Sequence, residues 1–127
     1  ACTPLTTCEA GEYEAQAATA TSDRVCVSAS ASCVSGEYEL VALDETTNRV
    51  CQPIRGACDI TVSYESAAAT LTTNRVCTGL TECTVDVHYI STESTPTSDR
   101  VCSVLRECTS EESESVAPTE TSDRVCA

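Results

Sequence analysis

Phenylalanine, tryptophan, methionine and lysine are all missing from this chain. The first three absences, with aromatics confined to Tyr13, Tyr38, Tyr64 and Tyr89, leave too little apolar bulk for one large core. Without lysine, seven arginines face 20 acidic residues, and the net charge of −13 repels nucleic acid. No apolar run approaches the roughly 18–20 residues that cross a bilayer, so no membrane span is expected in this segment. The opening Ala1-Cys2-Thr3-Pro4 has neither the basic nor the hydrophobic region of a signal peptide, which reads as a mature segment or an excerpt from a longer array. Asn48 and Asn74 are each followed by Arg-Val, so N-linked glycan has no acceptor site.

Cysteine is what the chain has in excess, with 11 in 127 residues. That density marks a disulfide scaffold and an oxidising compartment, and the expected location is extracellular or on a cell surface. Cross-links must do here what a core does elsewhere.

The cysteines sit in a repeat. Thr-Ser-Asp-Arg-Val-Cys occurs at Thr21–Cys26, Thr97–Cys102 and Thr121–Cys126, and Thr-Thr-Asn-Arg-Val-Cys at Thr46–Cys51 and Thr72–Cys77. A second series, Cys8, Cys33, Cys58, Cys83 and Cys108, recurs every 25 residues. Five units follow: residues 1–26, 27–51, 52–77, 78–102 and 103–127. Each carries an aliphatic residue three places after the cysteine that opens its short loop, Cys2, Cys26, Cys51, Cys77 or Cys102 (Leu5, Ile54, Leu80 and Leu105, with Ala29 in the second unit). Each also carries a tyrosine after the cysteine that ends that loop, replaced by Ser113 in the fifth, and a valine before the closing cysteine. One aliphatic, one tyrosine, one valine and a disulfide make a miniature core that can be stacked but not enlarged.

Alternation after the second cysteine predicts a strand, with Val85, Val87 and Tyr89 on one face and Asp86, His88 and Ile90 on the other; Ile60, Val62 and Tyr64 alternate likewise. Small polar residues then supply a turn, and the Asp or Asn before each arginine suits an Asx turn into a second short strand. The expected fold is small, disulfide-rich and all-β, an elongated solenoid-like rod of five two-cysteine repeats, without helix.

Two disulfide patterns fit this periodicity. One closes the long loop of each unit and leaves Cys2 over; the other closes the short loop, as in Cys2–Cys8, and leaves Cys126 over. Spacing alone does not choose between them.

The spacing Cys77-x5-Cys83-x18-Cys102, with Thr-Ser-Asp-Arg-Val before the last cysteine, resembles the second half of the cysteine-rich repeats of tumour necrosis factor receptor ectodomains. All five units fit. The resemblance implies the long-loop pairing: Cys8–Cys26, Cys33–Cys51, Cys58–Cys77, Cys83–Cys102 and Cys108–Cys126. Those receptors usually alternate this module with another that brings closely spaced cysteines, and no Cys-x-x-Cys occurs here.

Little in the chain suggests catalysis, and no enzyme activity, cofactor or metal is expected. His88 is the only histidine, and every nearby cysteine belongs to the disulfide series, so it reads as a solvated strand residue. Cysteines five or more apart lack the spacing of a zinc site. No Asp-x-Asp-x-Asp-Gly phrase occurs, and the acidic clusters at Glu9–Glu14 and Glu111–Glu114 read as solvated faces. Arg24, Arg49, Arg75, Arg100 and Arg124, one per unit in a fixed phrase, read as framework, lying over the tyrosine or pairing with a glutamate across the strand. Serine and threonine gather in the turns, and Pro96-Thr97 and Pro118-Thr119 resemble the hydroxyls of mucin-like stalks. O-linked sugar is expected at Thr19, Thr21, Thr70 and Thr97.

The resulting expectation is a structural extracellular repeat protein that forms or decorates a surface filament. Its partners are copies of itself end to end, or continuing repeats of the same chain. The alternative is a receptor or adhesin ectodomain gripping a protein ligand along its side.

Overall fold

The computed structural model describes residues 2–127, which form ten strands paired as five antiparallel hairpins, with no helix among the described residues. The strands are β1 (Glu12–Gln16) with β2 (Val25–Ser28), β3 (Glu37–Val41) with β4 (Val50–Pro53), and β5 (Ser63–Ala67) with β6 (Val76–Gly79). Then follow β7 (His88–Thr92) with β8 (Val101–Val104) and β9 (Glu114–Val116) with β10 (Val125–Cys126). The chain is divided into two compact bodies. One comprises Ala1–Arg55 with Ala69–Asn74, the other Gly56–Ala68 with Arg75–Ala127.

Five disulfides close the long loops: Cys8–Cys26, Cys33–Cys51, Cys58–Cys77, Cys83–Cys102 and Cys108–Cys126. Cys2 is free and exposed. In each hairpin the second cysteine lies opposite the residue after the tyrosine position: Glu14, Glu39, Glu65, Ile90 and Glu114. The register slips immediately beyond, so that each hairpin carries a β-bulge at the same place. In the last three hairpins the bulged residue is a serine whose hydroxyl donates to the carbonyl of the facing valine: Ser66 to Val76, Ser91 to Val101, Ser115 to Val125.

Turn chemistry brackets each hairpin. In units one, two and five a glutamate reaches back to accept from the amide after the cysteine, Glu12 from Glu9, Glu37 from Val34 and Glu112 from Thr109. Gly11 and Gly36 take φ of 87° and 89° in the first two of these turns, which a side chain would resist. Units three and four carry one residue more. Their turns widen, so that the amides of both Val87 and His88 point to the Thr84 carbonyl, and Asp86 adopts φ 66°.

This widening corrects the predicted strand. Residues 85–87 belong to the turn, Val85 is exposed, and β7 begins at His88 with Ile90 inward at 7% exposure. Ile60 and Val62 are exposed for the same reason. The valines before the closing cysteines do not join a core either, being 42% to 51% exposed, because they sit beside the bulge on the outer face. Among the described residues the buried apolar ones are Tyr38, Ile90 and Leu105, and no side chain is fully enclosed.

Beyond the closing cysteine the second strand carries the chain into the next unit, where the aliphatic residue's amide bonds back to the hairpin just left. Ala29 donates to Gly11, Ile54 to Gly36, Leu80 to Val62 and Leu105 to Val87. Leu5 is 53% exposed.

Candidate functional site

Two polar devices recur at the joints between units. The first is the Asx residue before each arginine, whose side-chain oxygen accepts from an amide in the short loop of its own unit. Asp23 binds Thr6, Asn48 binds Ser30, Asn74 binds Arg55, Asp99 binds Thr81, and Asp123 binds Arg106. For Asp23, Asn48, Asp99 and Asp123 the same oxygen also caps the amide of the following arginine. The threonine hydroxyls of Thr6 and Thr81, and then their amides, hold the Asp23 and Asp99 carboxyls below the ordinary carboxylate range.

The second device is the loop tip. Thr19 accepts from the amides of Thr21 and Ser22 and shares a hydrogen bond with the Ser22 hydroxyl. Thr70, Thr95 and Thr119 repeat the motif, and Asp44 does the same work in unit two. This turn presents one carbonyl to the preceding unit: Glu45 to the amide of Glu14, Leu71 to Glu39, Pro96 to Glu65 and Glu120 to Ile90, at 2.7–2.8 Å. Both partners in this hydrogen bond are main-chain atoms.

The arginines pair with the glutamate opposite the cysteine: Arg24–Glu14 at 3.2 Å, Arg49–Glu39 at 2.6 Å, Arg75–Glu65 at 2.5 Å and Arg124–Glu114 at 2.6 Å. Arg49 and Arg124 also donate to a short-loop carbonyl, of Ser30 and Arg106. Each of these four arginines is thus tied across its hairpin to a glutamate.

Unit four breaks the pattern. Ile90 stands where the other units have glutamate, and Arg100 makes no ion pair among the described residues. Its buried Nε has no hydrogen-bond partner, and neither has the buried Nδ1 of His88. His88 is therefore half-buried at the start of β7 instead of the solvated residue expected. Arg24 also has an unpartnered Nε but keeps its glutamate through Nη1. His88, Ile90 and Arg100 line one cavity of about 460 Å³ with Leu105 and Glu120. The equivalent space beside Arg75 measures about 140 Å³ with Glu65 in its wall, and beside Arg24 about 450 Å³ with Glu12, Glu14 and Glu45. The signal for this departure lies in the sequence, where Ile90 is the lone isoleucine among Glu14, Glu39, Glu65 and Glu114.

Thr19, Thr21, Thr70 and Thr97 are all exposed, but the hydroxyls of Thr19 and Thr70 are the ones that close the loop tips. Cys33, Glu37 and Cys51 are the one group of metal-ligating types gathered within 4.8 Å among the described residues. Both sulfurs are bonded to each other, which removes the thiolates a metal would take.

Five helix-free hairpins, each stapled across its long loop and joined by a repeated Asx and loop-tip geometry, define a tandem array of disulfide-rich repeats. Residues 1–26 match the TNFR/NGFR cysteine-rich region family, and all five units fit TNF-receptor-like cysteine-rich repeats. No curated protein matches the chain. Cysteine-rich repeats of the tumour necrosis factor receptor type are typically extracellular, and among the described residues no helix is long and apolar enough to cross a membrane.

Proposed function

We propose that this chain is a structural segment of an extracellular surface array, its units joined in series to form or decorate a filament. The observation that carries the reading is the strand-to-loop hydrogen bond, found at all four junctions between successive units and built from backbone on both sides. A joint indifferent to side chains accepts further units of the same chain, or another copy, and a heterologous contact of that kind need not close. O-linked sugar on Thr21 and Thr97, whose side chains close no turn, would coat such an array.

Electron microscopy of the native material tests this. Fibres with an axial period of one unit, or a whole number of units, are the expected result; discrete particles of a single chain would overturn it. A second reading, a receptor or adhesin ectodomain, draws its support from the family match and from the departure concentrated in unit four. Discrete particles that capture a protein ligand would favour it.

A further inference from the structure

We infer that the cavity of unit four is a binding site for an apolar monocarboxylate, which takes the position that a glutamate side chain fills in the other units. In four hairpins the arginine two residues before the closing cysteine meets a carboxylate opposite that cysteine. Arg100 stands at the same place, its amide held by Asp99, and lines one cavity with Ile90, the residue opposite Cys102. A guanidinium stays charged in any protein, so its unpaired state carries a cost that an incoming anion removes. The His88 ring contributes a second unpartnered nitrogen to the same walls.

The size and lining narrow the ligand. The cavity of about 460 Å³ falls within the range of roughly 300–1,000 Å³ typical of small-molecule sites. Ile90, Leu105 and Val85 give it an apolar side, so the acid group should be carried on a hydrocarbon chain or ring. Asp86 and Glu120 also line it, and within a chain of net charge −13 they disfavour a second negative charge. A monocarboxylate therefore fits better than a dicarboxylate or phosphate. The acid group can come from a free small molecule or from an acidic side chain beside an apolar one in a peptide.

Titration of the full oxidised chain with hexanoate, followed by the NMR signals of the arginine Nε–H groups and the His88 ring, tests the site. Saturable shifts at Arg100 and His88, without matching shifts at Arg49, Arg75 or Arg124, are expected. Hexanol should give none, and adipate should bind about tenfold more weakly or worse. Ile90→Glu should abolish the response by supplying the carboxylate from within. Arg100→Gln, which leaves the packing of Ile90 intact, should weaken binding by at least roughly tenfold. A capped Leu-Glu dipeptide amide that outcompetes hexanoate would assign the source to a peptide, and the reverse order to a free acid. Equal shifts at all the arginines, a hexanol response like that of hexanoate, or undiminished binding by Arg100→Gln would overturn the inference.

Discussion

At the scale of single residues, the Asx position divides the units into two chemical kinds. Asp23 and Asp99 titrate, whereas Asn48 and Asn74 hold the same amides without a proton to gain. The folded pKa of each aspartate lies below its unfolded value of about 3.9. Its contribution is therefore complete above that value and is lost as pH falls through the lower folded one. Acidification should speed amide exchange at Thr6 and Thr81 well before it affects Ser30, once the intrinsic pH dependence of exchange is divided out. Equal loss at Ser30 would show that the whole short loop, not the carboxylate, responds. The ion pairs make a second residue-scale comparison. A double-mutant cycle of Glu39→Ala with Arg49→Ala should give a coupling of about 0.5–1 kcal/mol in thermal unfolding, the modest value of a partly exposed pair. The cycle of Ile90→Ala with Arg100→Ala should show no ionic coupling.

At the scale of the hairpin, turn residues decide the register. Gly36 has open space where a Cβ would go but a φ of 89°, so Gly36→Ala should cost about 1–2 kcal/mol through backbone strain alone. Chemical denaturation measures this, and a neutral result would mean that the turn relaxes without disturbing Tyr38. Much at this scale was legible in the sequence, because the units, the second strand and the Asx turn are all written in one phrase repeated five times. The first strand was misplaced in units three and four. Val85 and Val87 alternate like a strand, yet the extra residue in that turn needs room, and local hydrogen bonding to the Thr84 carbonyl outweighs periodicity. The valines misled differently. Their invariance suggested burial, but a bulge on the opposite strand leaves them half in solvent. The vacant glutamate position at Ile90 was readable in principle and became meaningful only with the arginine placed opposite it.

At the scale of the whole chain, three buried apolar residues cannot offset roughly 1–2 kcal/mol of backbone entropy per ordered residue. Each cross-link over a loop of this length contributes about 3 kcal/mol by restricting the unfolded ensemble. Complete reduction and alkylation should therefore abolish slow amide exchange in all five hairpins. Strands that survive reduction would mean that the loop-tip joints stabilise far more than four hydrogen bonds suggest.

The placement of the cystines also decides how the chain answers a pull. Between Cys8 and Cys26, tension passes through the sulfur bridge and bypasses β1 and the loop tip, while Val27 and Ser28, the end of β2, lie beyond the bridge on the load path. Only the short stretches from one bridge to the next, such as residues 26–33, carry force. Oxidised chains stretched by atomic force microscopy should extend without releasing the length enclosed by the bridges. Adding a reductant should then release hidden length in discrete increments of about 60 Å, one for each bridge of sequence separation 18 or 19. The long loops of this protein are shielded from mechanical work for as long as the surroundings stay oxidising.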